Sequence, residues 1–208
     1  MNEVRHYEAG NFTVASKTEG NPDGKGVSGF LRDWYQSEAR AVVAKPRRQI
    51  LAEFFTSMLI LSATFKFRPA VGGAYYLYWL NGTWSLSLIA PDEWSDERQA
   101  GFAGTCVLQH DMTWTIAPSD SLAEENAVSD AIGRFYDAFA ETLDTDLTLE
   151  EILPFYVGGL HYYPRLYANA LSRSVRAAVI LGDQASSSCR EWQMQLPQLR
   201  NGLLAYRG

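Results

Sequence analysis

Cysteine is scarce in this chain: Cys106 and Cys189 are the two thiols among 208 residues. Two thiols cannot frame a small disulfide-stapled domain, and no Cys-x-x-Cys pair exists to begin a zinc or redox motif. Long apolar runs are missing too. The longest, Ile50 to Phe65, is interrupted by Glu53, Thr56 and Ser57 and falls short of the ~20 residues a membrane span needs. Met1 to Gly10 carries Glu3, Arg5, His6 and Glu8 and lacks the apolar centre of a signal peptide. Basic charge is in deficit, with 18 Lys and Arg against 24 Asp and Glu and a formal net charge of −6. An acidic surface disfavours general binding of nucleic acid, which needs clustered cations. These absences together predict a cytoplasmic chain with no membrane partner and disfavour nucleic acid, for which single strands stacking on surface tyrosines beside a basic groove would be the remaining route.

Apolar and aromatic residues are plentiful: 47% of the chain is apolar, with 6 Trp, 11 Tyr and 10 Phe. That is enough material for a packed core without staples. The stretch from Gly10 to Gly29 is polar, with Asn21-Pro22-Asp23-Gly24 at its centre, so residues 1–28 read as an arm that buries little. Residues 29–208 are expected to form a single α+β domain. Ser28 is placed to cap a first helix whose stripe is Leu31, Trp34, Tyr35, Ala39 and Val42, with Pro46 as its stop. A second helix is predicted from Pro46 to about Thr64. Ile50, Leu51, Phe54, Phe55, Met58, Leu59 and Leu61 cover most of its circumference, the mark of a central, buried helix.

Asn81-Gly82 between two apolar runs is a strong hairpin signal, because a type I′ turn needs positive φ at both central residues. A two-residue loop sets Trp79 opposite Trp84, Leu77 opposite Leu86 and Tyr75 opposite Leu88 on one apolar face. Tyr78 opposite Ser85 and Tyr76 opposite Ser87 occupy the other. Pro91-Asp92-Glu93-Trp94 reads as a short helical turn. A second hairpin is predicted over Phe102–Ile116 with His110-Asp111 at its tip, which would put Val107 opposite Trp114 and Thr105 opposite Ile116. Cys106, Thr113 and Thr115 would then lie on the far side. The two hairpins make a four-stranded antiparallel meander over residues 74–117, one face against the long helix. Helices return over 124–182: a stripe of Ala131, Phe135, Ala138, Phe139 and Leu143, a capping box at Thr148-Leu149-Glu150-Glu151, a break at Gly158-Gly159, and a helix opened by Pro164 and stopped at Gly182. The tail over 183–208 reads as loop, with a short strand over Glu191–Leu196.

Within this sheet region several uncommon residues keep a fixed order: Tyr75-Tyr76-Leu77-Tyr78, Ser87-x-Ile89-x-Pro91-x-Glu93-Trp94, Phe102-x-Gly104 and Leu108-Gln109-His110-Asp111-Met112-Thr113-Trp114-Thr115. The string resembles a family of unknown function found in bacteria and animals, whose human member is the product of chromosome 1 open reading frame 50. The resemblance covers residues 74–115. It implies a shared fold and carries over no catalytic residue.

The chemistry-bearing residues are dispersed. His110 and Asp111 are adjacent, so on an extended chain they point to opposite sides, and a hairpin tip explains them without catalysis. Cys106, Cys189, His6, His110 and His161 lack ligand spacing, and no metal or cofactor is expected. No phosphate loop and no nucleophile elbow is present. Arg165, Asn169, Arg173 and Arg176 recur at near-helical spacing, which suits either an anion or a solvated helix face. Lys45, Arg47 and Arg48 read as a solvated junction. Glu93 is placed near a positive helix end, and Trp94 reads as core.

The aromatic face of Tyr76 and Tyr78, flanked by Ser85, Ser87, Thr113 and Thr115, is the better candidate for recognition. The competing explanation is that the C-terminal helices cover that face as a second core. The leading expectation is a non-enzymatic binding or regulatory domain acting through protein contacts, a second copy of the chain being one such partner. The alternative is a small-molecule site between the sheet and the C-terminal helices, lined by Tyr76, Tyr78, Glu93, His110 and Arg173.

Overall fold

The structure, a computed structural model, describes residues 27–153, 160–197 and 204. The N-terminal arm before Val27 and the break at Gly158-Gly159 lie outside the described residues. The chain divides into two compact units, one ending at Glu38 and the other beginning at Ala39. The first contains helix α1 (Val27–Gln36). Ser28 lies within α1. The helix stops well before Pro46, because the Ser37 hydroxyl donates to the Trp34 carbonyl at 2.9 Å and draws the last turn closed. Leu31 and Tyr35, expected on a buried stripe, are exposed.

The second unit begins with an extended segment leading to Pro46, which sits at the N-cap of α2 (Arg47–Leu61). Ten of the fifteen α2 residues are buried, as an apolar surface on all sides requires. The strands are β1 (Ala74–Leu80), β2 (Thr83–Ser87), β3 (Phe102–Leu108) and β4 (Trp114–Pro118). Asn81 and Gly82 both have positive φ, at 51° and 77°. The turn holds Trp79 opposite Trp84, Leu77 opposite Leu86, Tyr78 opposite Ser85 and Tyr76 opposite Ser87, as predicted. Leu88 lies just past β2 and is exposed.

The α+β class and the four antiparallel strands are as expected, but the order is β2-β1-β3-β4 and not that of a simple meander. β1 pairs with both β2 and β3, so the chain must cross β1 to pass from one neighbour to the other. The crossing segment holds a 3₁₀ turn at Pro91–Glu93 and the short helix α3 (Asp96–Gln99). A bulge between Leu77 and Tyr78 accommodates its return into β3. Gly104 lies beside it, where a Cβ would stand 2.5 Å from the Ala117 carbonyl oxygen.

The second hairpin differs from expectation by one residue. Its loop is His110-Asp111-Met112: Gln109 N–H donates to Thr113 O at 2.8 Å, Met112 N–H returns to Gln109 O at 3.0 Å, and Met112 takes φ 66°. This is the three-residue hairpin with a left-handed last position. The odd loop pairs Cys106 with Ile116, Val107 with Thr115 and Leu108 with Trp114. Cys106 therefore joins Tyr75, Leu77, Leu108, Trp114 and Ile116 in the core, while Thr105, Val107 and Thr115 face outward.

Helix α2 lies against the inner face, and the Ser57 hydroxyl accepts from Trp114 N–H at 2.8 Å, capping an outward-pointing edge donor of β4. The other edge is closed by Thr64, whose N–H donates to Trp84 O at 2.9 Å. Helix α4 (Ala127–Thr142) adds Phe135 and Phe139, which meet Phe55 edge to face at 5.6 and 5.4 Å. The Thr148 capping box forms at the start of α5 (Leu149–Ile152). Helix α6 (Tyr162–Leu181), capped by Gly182, packs along α2, and the Tyr167 hydroxyl donates to Pro69 O at 2.6 Å. The stretch expected as a strand near Glu191 is instead the helix α7 (Cys189–Gln193), with Ser188 accepting from Glu191 N–H. Its one large apolar residue, Trp192, is fully buried, and a local N-cap outweighs strand propensity there. Among the described residues no helix is long and apolar enough to cross a membrane.

Trp84 is 7% exposed and Ser85, its neighbour, faces the opposite side. Trp84→Ala should destabilise by about 3–5 kcal/mol. Ser85→Ala should cost far less in the same chemical denaturation series, and equal losses would contradict the assigned faces.

Candidate functional site

The crossing between β2 and β3 divides the outer face of the sheet. Over β1 it covers Tyr78, which is 1% exposed. The Tyr78 hydroxyl donates to Ile89 O at 3.0 Å, and its ring meets Trp94 edge to face at 6.2 Å and Phe102 at 5.5 Å. Burial pushes the Tyr78 phenol up to about 12. Glu93 is exposed on the crossing and its carboxylate accepts from Ala90 N–H, the helix-start role its position implied. Trp94, half-buried, has Arg98 over its ring at 4.0 Å.

What remains of the outer face is a strip running Ser87, Tyr76, Thr105, Ala117 across the four strands, with Val107 and Thr115 beside it. Over β3 and β4 this strip floors an open cavity of about 530 Å³. Its wall comes from the approach to α2 and the first turns of that helix: Ala41, Lys45, Gln49 and Glu53. Its end is the hairpin tip with Gln109, His110 and Asp111. Gln109 Nε2 donates to Thr115 Oγ1 at 2.8 Å, which spreads a polar lattice over the floor.

One ion cluster ties wall to tip. Lys45 Nζ donates to Glu53 Oε2 at 2.6 Å and to Asp111 Oδ2 at 2.5 Å. The three side chains are 9%, 15% and 10% exposed. Asp111 Oδ1 also accepts from Thr113 N–H at 3.1 Å and Thr113 Oγ1 at 2.7 Å, closing the hairpin turn. Glu53 Oε1 accepts from Gln49 Nε2 at 2.9 Å. Burial works against the charge on Lys45, but hydrogen bonds to Asp111 and Glu53 outweigh it and hold the ammonium above its ordinary pKa. Burial likewise disfavours the Asp111 carboxylate, and the bonds from Lys45 and Thr113 overcome it, leaving that pKa below its ordinary value.

The expected site residues are thus only partly brought together. Tyr76, half-buried, and Ser87 lie on the strip beside the cavity, and His110 is exposed at its rim. Asp111 is buried while His110 is not, so the adjacent pair does not act as a dyad. Ser85 is half-buried beside covered Tyr78. Arg173 belongs to α6, which packs on α2. Along the same helix Arg176 pairs with Glu150 at the surface, and Asn169 donates to the Arg165 carbonyl. Among the described residues α4 and α6 pack with α2, and α4 packs against β1 from the inner side, where Arg134 lies over Trp79 at 5.7 Å. The lining of the cavity described here includes His110 and no residue of α4 to α7.

Lys45 is not part of a solvated junction, since it is held by two carboxylates. Arg47 also has partners, bonding Ser187 Oγ and lying 5.3 Å over the Trp192 ring. Lys45, Gln49 and Glu53 were not legible as a site because the Lys45–Asp111 bond joins residues 66 apart. One local signal existed: Glu53 interrupts a helix apolar on every side, and a carboxylate there needs a partner. Among the described residues no group of three or more His, Cys, Asp and Glu is arranged to hold a metal ion.

Residues 39–137 match the model of a family described as a protein of unknown function (DUF2452). That span contains β1 to β4, α2 and the whole cavity lining. Neither a curated protein nor a solved structure matches the chain.

The cluster makes stability pH-dependent with a definite sign. Asp111, depressed below its ordinary 3.8, contributes above that pH and loses its contribution as pH falls through the folded value. Lys45, raised above 10.5, contributes below that pH and loses its contribution as pH rises through the folded value. Asp111→Asn should therefore destabilise by about 1.5–3 kcal/mol between pH 5 and 9. The gap to the wild type should close in urea titrations below pH 3.8. A gap unchanged down to pH 2 would show that the ion pair contributes nothing.

Proposed function

We propose that this protein is a non-enzymatic, cytoplasmic binding domain that recognises a partner protein through the outer-face strip and its cavity. The observation that carries the reading is the open cavity beside Tyr76, walled by the hydrogen-bonded cluster of Lys45, Glu53 and Asp111. Acid–base catalysis asks for groups poised near neutral pH. Here the lysine is held protonated and the aspartate ionised, an arrangement suited to fixed charge and shape. A half-buried tyrosine next to a hydroxyl-lined depression supports contact with another protein. We also assign the segment 74–115 to the wider bacterial and animal family with the human chromosome 1 open reading frame 50 product, on the residue string it carries.

A second reading, a small-molecule site, is favoured by the cavity volume, which falls within the range of ligand pockets. Of the residues foreseen for such a site His110 lines this cavity, while Tyr76, Tyr78, Glu93 and Arg173 do not.

Val107 lies half-buried on the cavity floor. Val107→Arg should fill the cavity and abolish recovery of the proteins cross-linked by the wild-type chain in cells. Its melting temperature should stay within about 5 °C of wild type. Recovery of the same partners at wild-type yield would rule out the cavity as their site.

A further inference from the structure

Taking the cavity as the partner site, we infer that it receives a cationic side chain, the ammonium of a lysine or the guanidinium of an arginine presented by the partner protein. The charges within the cluster do not cancel. Lys45 faces two carboxylates, so one negative charge is left in excess, and all three groups line the cavity. The carboxylates retain acceptor capacity. A carboxylate offers about four lone-pair sites. Glu53 uses one on each oxygen, for Gln49 and Lys45. Asp111 uses two on Oδ1 and one on Oδ2.

The alternatives fit less well. An anionic group would compete with Glu53 and Asp111 for the Lys45 ammonium, whose short bonds of 2.6 and 2.5 Å already commit two of its three protons. A neutral group would leave the excess charge uncompensated in a partly enclosed site, where charge counts more than in water. The remaining lining matches a long stem beneath a charged head: Val107, Ala117 and Ala41 give apolar contact, and Thr105 and Thr115 give hydroxyls. The titratable groups lining the site are Lys45, Glu53, Asp111 and His110 at the rim, and Arg40 stands next to the tip, its backbone N–H donating to His110 O at 2.9 Å.

The test is an NMR titration of the full chain with capped single residues, read at the amides of Gln109 and Thr115. N-acetylarginine amide and N-acetyllysine amide should give saturable shifts at millimolar concentration. N-acetylcitrulline amide, the neutral isostere, should bind at least about tenfold more weakly. Glu53→Gln removes the excess charge and should weaken the cationic probes by about tenfold. Lys45→Gln enlarges the excess charge and should tighten them, an opposite response that unfolding cannot imitate. Equal binding of arginine and citrulline probes, or no saturable shift with either cation, overturns the inference. So does stronger binding by N-acetylglutamate amide. In each of these cases the partner-site reading still stands if Val107→Arg abolishes partner capture, and falls separately if it does not.

Discussion

Each hairpin of this sheet is held in register by the length of its loop. Side chains alternate between faces with period two, so a shift of one residue exchanges core for surface along a whole strand. The two-residue loop Asn81-Gly82 puts Trp84 and Leu86 inward. The three-residue loop His110-Asp111-Met112 puts Cys106, Trp114 and Ile116 inward and Thr105, Val107 and Thr115 outward. Everything proposed for the outer face follows from that second loop. Met112 carries its cost: a non-glycine residue at φ 66° whose side chain is nevertheless buried in the core, which explains why glycine does not replace it.

The strand order then apportions the outer face. Because β1 lies between β2 and β3, the connection has to pass over β1. It covers Tyr78 with Trp94 and the Ile89 carbonyl and leaves β3 and β4 open. A simple meander would have left both tyrosines at the surface. The crossing retains one, Tyr76, at the margin of the remaining strip, next to Thr105.

Lys45 links the two halves of the site. It precedes α2, yet its ammonium reaches the turn between β3 and β4 through Asp111 and the interior of α2 through Glu53. Breaking a buried pair leaves an uncompensated charge, which is why such clusters hold geometry even where their net contribution to stability is modest. The same cluster gives the cavity its electrostatic sign.

Local chemistry made much of the fold legible. Asn81-Gly82 announced its turn through the φ values it permits, α2 announced its burial through apolar residues on every side, and Thr148 and Gly182 marked helix ends by capping. Those signals act within a few residues, so the sequence by itself determined them. It also settled that Trp79 and Trp84 share a face. Tertiary structure decided the rest. The length of the His110 loop rested on Met112 accepting a left-handed backbone in exchange for burial, and the order of strands rested on where the β2–β3 connection finds apolar cover. Lys45 and Asp111 became a pair only when packing brought together residues far apart in the chain. Interactions of that range leave no periodicity or motif behind, because nothing local is stabilised by them.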